Sequence, residues 1–248
     1  MKIAVAGKGG VGKTTISAGI SLILAEAGEA VFAVDADPNN CLGYALGFPA
    51  ETVEKLRPVS EMRELLAERS GTAAGGPVFA LAPPVDDLIE EYRVTRGPLS
   101  FLVMGSIIQG GGGCACPENA TLRALLREMV ALPEHVIVDL EAGLEHLGRG
   151  TAGALDVLVA VTPPTPTGVR TTQRIARLAR EVGLTDVRVV GNLVASEEEA
   201  TFVRNEVGDL PVVGVLSRHP GLSSDGVLGG SAGEALRRDL GPIVEALR

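Results

Sequence analysis

The stretch Gly7-Lys8-Gly9-Gly10-Val11-Gly12-Lys13-Thr14-Thr15, close to the start of the chain, sets the architecture of this protein. It matches the template G-x-x-x-x-G-K-[ST], in which backbone N–H groups form a nest for phosphate oxygens and glycines permit close approach. The apolar run before it, residues 2–6, predicts a short buried strand. Residues 14–27 have helical periodicity, and the N-terminus of such a helix favours an anion. The stretch, here called the P-loop, therefore predicts binding of a nucleoside triphosphate.

Composition around the P-loop predicts a single α/β domain covering residues 1–248. Apolar residues make up 46 % of the chain, aromatic residues only 3 %, and tryptophan is absent. A core of Val, Leu, Ile and Ala suits parallel strands buried between two layers of helices. Strand-like and helix-like segments also alternate along the chain. The fold class expected is a P-loop NTPase: a mostly parallel central sheet with helices on both faces.

The alternation can be assigned segment by segment. Strands are predicted at residues 3–6, 30–34, 99–104, 136–139, 157–161, 187–191 and 212–215. Helices are predicted at residues 14–27, 117–132, 171–182 and 233–247, with a further helix within 61–68 and a Gly/Ala turn region at 70–77.

Charge and cysteine content exclude several classes of protein. The net charge is −9 and the pI is near 4.9, which opposes nucleic acid as the main partner. Neither a signal peptide nor an apolar run long enough to cross a bilayer is visible, so we expect no membrane attachment. Three cysteines, an odd number, favour reduced thiols over a disulfide framework. We expect a cytoplasmic protein.

Each part of the P-loop has an expected chemical role. Lys13 reaches the β- and γ-phosphates, the Thr14 hydroxyl ligates Mg²⁺, and Thr15 reaches the α-phosphate. The predicted nucleotide-binding residues of the loop are Gly9, Gly10, Val11, Gly12, Lys13, Thr14 and Thr15. The expected cofactors are ATP or ADP together with Mg²⁺.

Carboxylates follow two of the predicted strands. Asp35 and Asp37 follow the strand predicted at 30–34, and Asp139 is the last residue of the strand predicted at 136–139. Ligands of open parallel sheets bind at the carboxyl ends of the strands, so all three acids are expected beside the P-loop. Asp139 has the position of a Walker B acid, which holds Mg²⁺ directly or through a water.

The residues 8–14, Lys-Gly-Gly-Val-Gly-Lys-Thr, resemble the deviant Walker A motif of the MinD/ParA/nitrogenase-iron-protein ATPases. The resemblance implies a Mg²⁺-dependent ATPase that works as a homodimer around ATP. Lys8 would then cross to the partner's phosphates and, like an arginine finger, neutralise charge in the transition state. Lys8, Lys13 and Asp37 are accordingly the expected catalytic residues, since the family analogue of Asp37 orients the attacking water.

The same resemblance assigns two further residues. Asp35 is expected near the Mg²⁺ ion, and Asn192, after the strand at 187–191, matches an asparagine that contacts adenine. In the family a lysine often follows this asparagine. Here that position is Leu193, so the resemblance supports contacts to the adenine base less strongly than contacts to the phosphates.

A cysteine pair, Cys114-Ala115-Cys116-Pro117, follows four consecutive glycines and precedes a predicted helix. A disulfide between residues two apart would be strained. Buried thiols are common in cores, but two at this spacing also fill half of a tetrahedral Zn²⁺ shell, which a two-fold dimer would complete. From spacing alone, both interpretations stay open.

The surroundings of the pair resemble the Cys-X-Cys region of CooC-type ATPases, over residues 113–120 and 122–126. Residues 139–151, Asp-Leu-Glu-Ala-Gly-Leu-Glu-His-Leu-Gly-Arg-Gly-Thr, resemble their switch II. These ATPases assist maturation of the nickel site of carbon monoxide dehydrogenase, and relatives serve acetyl-CoA synthase. The resemblance implies that Cys114 and Cys116 from two subunits bind Zn²⁺ or Ni²⁺. It identifies neither the client, nor the physiological metal, nor whether metal or nucleotide closes the dimer.

Other functions remain open at this stage. A positioning or partitioning ATPase would act on membrane or DNA, and an electron donor would share a [4Fe–4S] cluster between subunits. A non-hydrolysing binder conflicts with the complete set of catalytic residues. The roles of two residues also stay open: Cys41 is expected to be a small buried apolar residue, and His146 either couples the nucleotide to the metal loop or forms a structural hydrogen bond.

Overall fold

The computed structural model describes residues 1–71, 80, 83–106, 117–141, 144, 147, 149–219, 221–222 and 230–248. Its strands are β1 (Lys2–Gly7), β2 (Val31–Ala36), β3 (Val94–Arg96), β4 (Leu99–Val103), β5 (His135–Leu140), β6 (Val157–Thr162), β7 (Val187–Val194) and β8 (Val212–Ser217). Its α-helices are α1 (Lys13–Glu26), α2 (Leu42–Ala45), α3 (Ala50–Val53), α4 (Arg63–Ser70), α5 (Asp86–Tyr92), α6 (Pro117–Ala131), α7 (Arg149–Ala152), α8 (Pro166–Glu181), α9 (Glu197–Glu206) and α10 (Gly230–Leu247). Within these residues no helix is both long and apolar enough to span a bilayer.

One sheet joins all eight strands of the described residues, in the order β3-β4-β2-β5-β1-β6-β7-β8. Every pairing is parallel except the edge pairing of β3 with β4. The chain runs from β1 towards one edge and later, through β6, towards the other, so β1 lies where the strand order reverses. The crevice at the carboxyl end of such a strand is the usual ligand site of this architecture, and the P-loop begins there.

Alternating side chains of the strands build two separate cores. Ile3 and Val5 of β1 pack with the apolar faces of α1 and α10, whereas Ala4 and Ala6 pack with those of α6 and α8. This division follows from the two-residue period of a strand, which points successive side chains to opposite faces. Because both faces are covered, β1 is buried along almost all of its length and holds the P-loop on a rigid support.

The structure confirms the predicted fold class and each predicted strand. The helices predicted at 14–27, 117–132 and 233–247 correspond to α1, α6 and α10, and the one within 61–68 to α4. The predicted helix 171–182 begins earlier, at Pro166, because the Thr165 hydroxyl accepts a bond from the Gly168 amide and caps the first turn. The turn region 70–77 is helical at Ser70 and lies outside the described residues from 72 onwards.

Several elements were not predicted, among them β3 and α9. The strand β3 is short and polar, and a Gly97-Pro98 turn joins it to β4. The helix α9 buries only Ala200 and Val203, so its apolar period is faint. Its start is nevertheless marked in the sequence: Ser196 and Glu199 have the spacing of a capping box, and the Ser196 hydroxyl accepts a bond from the Glu199 amide.

Candidate nucleotide site

The P-loop leaves the end of β1 and enters α1 through two glycines that no other residue could replace without rearrangement. A Cβ on Gly7 would come closer to the Val161 carbonyl of β6 than real Cβ atoms come to any neighbour. Gly12, at the N-cap of α1, has a φ of 92°, in the left-handed region that favours glycine. No side chain caps α1. Its first backbone N–H groups are therefore left for an anion.

The two lysines of the P-loop differ in environment. Lys13, the first residue of α1, is only 7 % exposed and forms no salt bridge with any described residue. A buried cation without a paired carboxylate suits a site whose ligand carries the counter-charge. Lys8 is exposed at the opposite end of the loop.

Asp139, at the end of β5, lies against the first turn of α1. Its carboxylate accepts hydrogen bonds from the Thr14 hydroxyl (2.6 Å) and the Ser17 hydroxyl (3.1 Å). Burial raises the pKa of Asp139 to about 6, against the opposing effect of these two bonds. The structure thus brings together Thr14 and Asp139, two of the three residues expected at the Mg²⁺ ion.

Ser17 is a site residue that sequence reasoning missed. It is fully buried and donates to the Asp139 carboxylate. The signal was present in the spacing, because residues three apart share one face of a helix and Ser17 follows Thr14 by three. A small polar residue on the buried face of α1 needs a partner, and the acid at the end of β5 is that partner.

Asp35, at the end of β2, lies directly opposite Asp139 in the parallel register of β2 and β5. It is fully buried, and its carboxylate accepts bonds from the backbone amides of Leu42 (2.9 Å) and Asp37 (3.3 Å). Burial, with the nearby charge of Asp139, raises the pKa of Asp35 to about 8. In this arrangement Asp35 holds the loop that leads from β2 to α2, and its role near Mg²⁺ stays a prediction.

That loop, residues 37–41, contains the acid expected to orient water. The Asp37 carboxylate is half-buried and accepts bonds from the backbone amide (2.9 Å) and the side-chain amide (2.8 Å) of Asn39. The expectation for Cys41 was wrong: its side chain is exposed, and its Sγ donates to the Asn39 carbonyl. Cys41 precedes α2 at the end of the turn, where Leu42 and not Cys41 enters the core.

Asn192, the residue expected to contact adenine, lies in the protein interior and contacts the P-loop. It is buried in β7, and its side-chain amide donates to the Val11 carbonyl at 2.7 Å. The structure therefore places Asn192 at the nucleotide site, in contact with the loop that would hold the phosphates. Contact with the base stays a prediction.

Three residues of interest lie outside the described part of the chain: Cys114, Cys116 and His146. The cysteine pair would follow β4, whose carboxyl end lies on the same edge of the sheet as Asp35 and Asp139. Metal binding by the pair therefore stays a prediction.

The described residues fit Mg²⁺ that is bound together with a nucleotide. Among them, no group of three or more His, Cys, Asp or Glu side chains could enclose a metal ion alone. Mg²⁺ is typically held by one or two carboxylates, water and substrate phosphates, and a P-loop site adds a hydroxyl. The Asp139 carboxylate and the Thr14 hydroxyl have the chemistry that such a shell needs, and their binding of Mg²⁺ stays a prediction.

Sequence comparisons place this site in a family. Residues 2–227 match the CobQ/CobB/MinD/ParA nucleotide-binding domain. The chain is 41 % identical over 218 residues to the carbon monoxide dehydrogenase accessory protein CooC of Rhodospirillum rubrum, covering 87 % of this chain and 83 % of that protein. It is 38 % identical over 222 residues to an uncharacterised ATP-binding protein of Methanocaldococcus jannaschii, with coverage of 87 % and 84 %.

Solved structures agree on the fold. A chain of the Aquifex aeolicus MinC:MinD cell division protein complex superposes with a TM-score of 0.67 at 19 % identity, covering 99 % of this chain and 93 % of that one. The Mg-ADP complex of Pyrococcus horikoshii MinD gives 0.66 at 19 % identity, with coverage of 99 % and 94 %. At such identities the likeness concerns the fold, and the assignment of activity rests on the family match and the sequence relatives. The chain belongs to the CobQ/CobB/MinD/ParA nucleotide-binding family and is an ATPase of the CooC type within it.

Proposed function

We propose that this ATPase is a metallochaperone that dimerises and assists nickel insertion into the active-site cluster of carbon monoxide dehydrogenase, or of the related acetyl-CoA synthase. The observation that carries the proposal is the 41 % identity to a carbon monoxide dehydrogenase accessory protein over 87 % of the chain. The Cys-X-Cys pair and the residues of the nucleotide site are the chemical groups that such a function requires. A client of this kind and reduced thiols fit a cytoplasmic setting.

The residues at the carboxyl edge of the sheet have distinct tasks in hydrolysis of ATP to ADP and phosphate. Lys13 and the uncapped N-terminus of α1 hold the phosphates. Thr14 and Asp139 would hold Mg²⁺, which would neutralise charge on the phosphates. Asp37 orients the attacking water; both of its bonds from Asn39 go to Oδ1, so Oδ2 is the oxygen that would accept from that water.

Dimerisation would complete this site. Lys8 is exposed and forms no salt bridge within the described residues, so it is available to a partner subunit. A cation supplied in trans stabilises the transition state only after the two subunits meet. Hydrolysis would thus require the closed dimer. The dimer would close when ATP binds and open after ATP has been hydrolysed.

Cys114 and Cys116 from the two subunits would bind Ni²⁺ or Zn²⁺ at the dimer interface. Four thiolates complete a tetrahedral shell, and the affinities of such sites for these two ions are close, so geometry and metal supply decide which ion is bound. In this scheme nickel is the cargo, and the nucleotide cycle controls when the cysteine site is closed or released.

The test is anaerobic metal binding and molar mass in solution, with and without ATP, for wild type and the double variant Cys114→Ser/Cys116→Ser. We expect the double variant to lose tight binding of nickel and zinc and any metal-dependent dimer. Cys41→Ser is the matched control, because Cys41 is an exposed free thiol that does not belong to the Cys-X-Cys pair. Nickel and zinc affinities equal to wild type in the double variant would disprove the metallochaperone proposal.

A further inference from the structure

We propose that Asn192 is a positioning residue for the P-loop: its side-chain amide holds the Val11 carbonyl, so that phosphate binding depends on a residue 181 positions away in the chain. The inference concerns the nucleotide site shared with the proposed function. It depends on phosphate binding there and not on the identity of the client or the metal.

The contact between Asn192 and the P-loop is short and shielded from water. The amide nitrogen of Asn192 lies 2.7 Å from the Val11 carbonyl oxygen, and Asn192 is 7 % exposed. A Cβ on Gly12 would lie 2.5 Å from the same amide nitrogen. Loop and side chain therefore fit together only because Gly12 has no side chain, and the fit fixes their relative position.

The backbone of β7 is distorted where it presents Asn192. The register between β7 and β8 shifts between Gly191 and Val194, and Leu193 has a φ of 63°. Non-glycine residues rarely adopt this left-handed conformation, and they do so mainly where surrounding structure imposes it. Bulges of this kind redirect a side chain. Here the redirected side chain is the buried amide that contacts the P-loop.

The bond to Asn192 orients one peptide group of the P-loop. In a trans peptide the carbonyl and the following N–H point in opposite directions. Fixing the Val11 carbonyl towards Asn192 therefore aims the Gly12 N–H away from Asn192, and it keeps a negative carbonyl oxygen from turning towards the phosphates. A side-chain amide has two N–H donors and one carbonyl acceptor, so Asn192 retains hydrogen-bonding capacity for a nucleotide base.

The experiment measures binding of Mg²⁺-tripolyphosphate, a ligand without a base, beside ATP and GTP, by calorimetry. Loss of a buried hydrogen bond of this type corresponds to about a tenfold loss of affinity. We expect that loss for tripolyphosphate in both Asn192→Ala and Asn192→Leu, with melting curves confirming folded protein. Asn192→Leu has nearly the same shape and adds no charge, but it cannot donate to the Val11 carbonyl. It therefore separates the hydrogen bond from packing.

Two variants of Leu193 serve as a matched pair. Leu193→Gly accepts the left-handed conformation freely and should bind tripolyphosphate at least as tightly as wild type. Leu193→Val, whose branched side chain resists that conformation, should bind several-fold more weakly. Both keep Asn192 itself.

Tripolyphosphate binding at wild-type affinity in both Asn192 variants, with only ATP over GTP selectivity lost, would overturn the proposal and leave Asn192 as a base contact. Equal affinities for the two Leu193 variants would overturn the role of the distorted strand. A wild-type protein that binds tripolyphosphate but no nickel would instead contradict the metallochaperone proposal and leave this one intact.

Discussion

At the scale of single residues, the site is organised around two carboxyls that the sheet places side by side. Asp35 and Asp139 are both fully buried and lie opposite each other on adjacent strands. Two buried carboxyls at close range disfavour ionisation of both. Each is stabilised by donors on a different element: backbone amides of the loop after β2 for Asp35, and hydroxyls of α1 for Asp139.

Ser17→Ala should weaken the dependence of the ATPase on Mg²⁺ without unfolding the protein. The Asp139 carboxylate would lose one of its two hydroxyl donors, so its position would be less well fixed. We expect the Mg²⁺ concentration for half-maximal activity to rise several-fold, up to about tenfold. Ser21→Ala is the control: Ser21 is equally buried in α1 but donates only to the Ser17 carbonyl. An unchanged Mg²⁺ requirement in Ser17→Ala would contradict a positioning role.

Asp35 should make the metal-free protein less stable as the pH rises. Its folded pKa, about 8, lies above the ordinary value of 3.8, so folding favours the neutral acid. The stabilisation is complete below the ordinary value and is lost between it and about pH 8, at up to ~1.4 kcal/mol per pH unit. Urea denaturation in a chelator should show this slope in wild type. In Asp35→Asn the slope should be smaller, and an unchanged slope would exclude Asp35 as its source.

At the scale of elements, the P-loop depends on the contact of β1 with β6 and on the start of α1. Parallel pairing of β1 with β6 brings the Val161 carbonyl against Gly7, at the point where the chain turns out of the sheet. The loop then returns to α1, which packs on the same strand. The loop is therefore held at both ends by buried structure, and Asn192 of β7 adds a third support.

Gly7→Ala should destabilise the protein, because the new Cβ would collide with backbone that has no freedom to move. Overpacking of this kind typically costs about 1–3 kcal/mol. Gly9→Ala is the matched control within the same loop, since a Cβ there meets nothing within 4 Å. Thermal melting without nucleotide should separate the two variants clearly. Equal melting temperatures would mean that β1 and β6 can move apart to accommodate the new Cβ without loss of stability.

At the scale of the whole molecule, the proposed role of Lys8 would make a single chain incomplete as an ATPase. Lys13 is buried and Lys8 is exposed, so Lys8 is the P-loop lysine that a second subunit could contact. A net charge of −9 makes two copies repel each other at long range. Nucleotide and metal bound between them would offset that repulsion, which ties association to the bound ligands.

Mixing two inactive variants should restore activity if Lys8 acts in trans. Lys8→Ala keeps Asp37, and Asp37→Asn keeps Lys8, so a mixed dimer contains one complete site. Random pairing makes half of the dimers mixed, each with one of its two sites active. The mixture should therefore reach about a quarter of wild-type activity. Steady-state phosphate release measures it, and an inactive mixture would show that Lys8 serves its own subunit.

An element was predicted from the sequence when its own residues carry a clear apolar pattern, and it was missed when they do not. The strands were predicted because β1, β2 and β5 are apolar along most of their buried length, with buried acids only near the ends of β2 and β5. The helices α1 and α10 were predicted because their periodicity is long. α9 and β3 were missed because little of either is buried. Cys41 was assigned to the core because sequence does not show which residue of a loop turns outward.

The sequence by itself determined the phosphate loop, the order of the main strands and helices, and the acids that end β2 and β5, because each of these is a pattern of neighbouring residues. Only the tertiary structure decided which distant residues support them. The bond from Ser17 to Asp139, the register that opposes Asp35 and Asp139, and the bond from Asn192 to Val11 join residues far apart in the chain. Such contacts depend on how the strands are ordered and aligned in the sheet, and no local pattern encodes that arrangement.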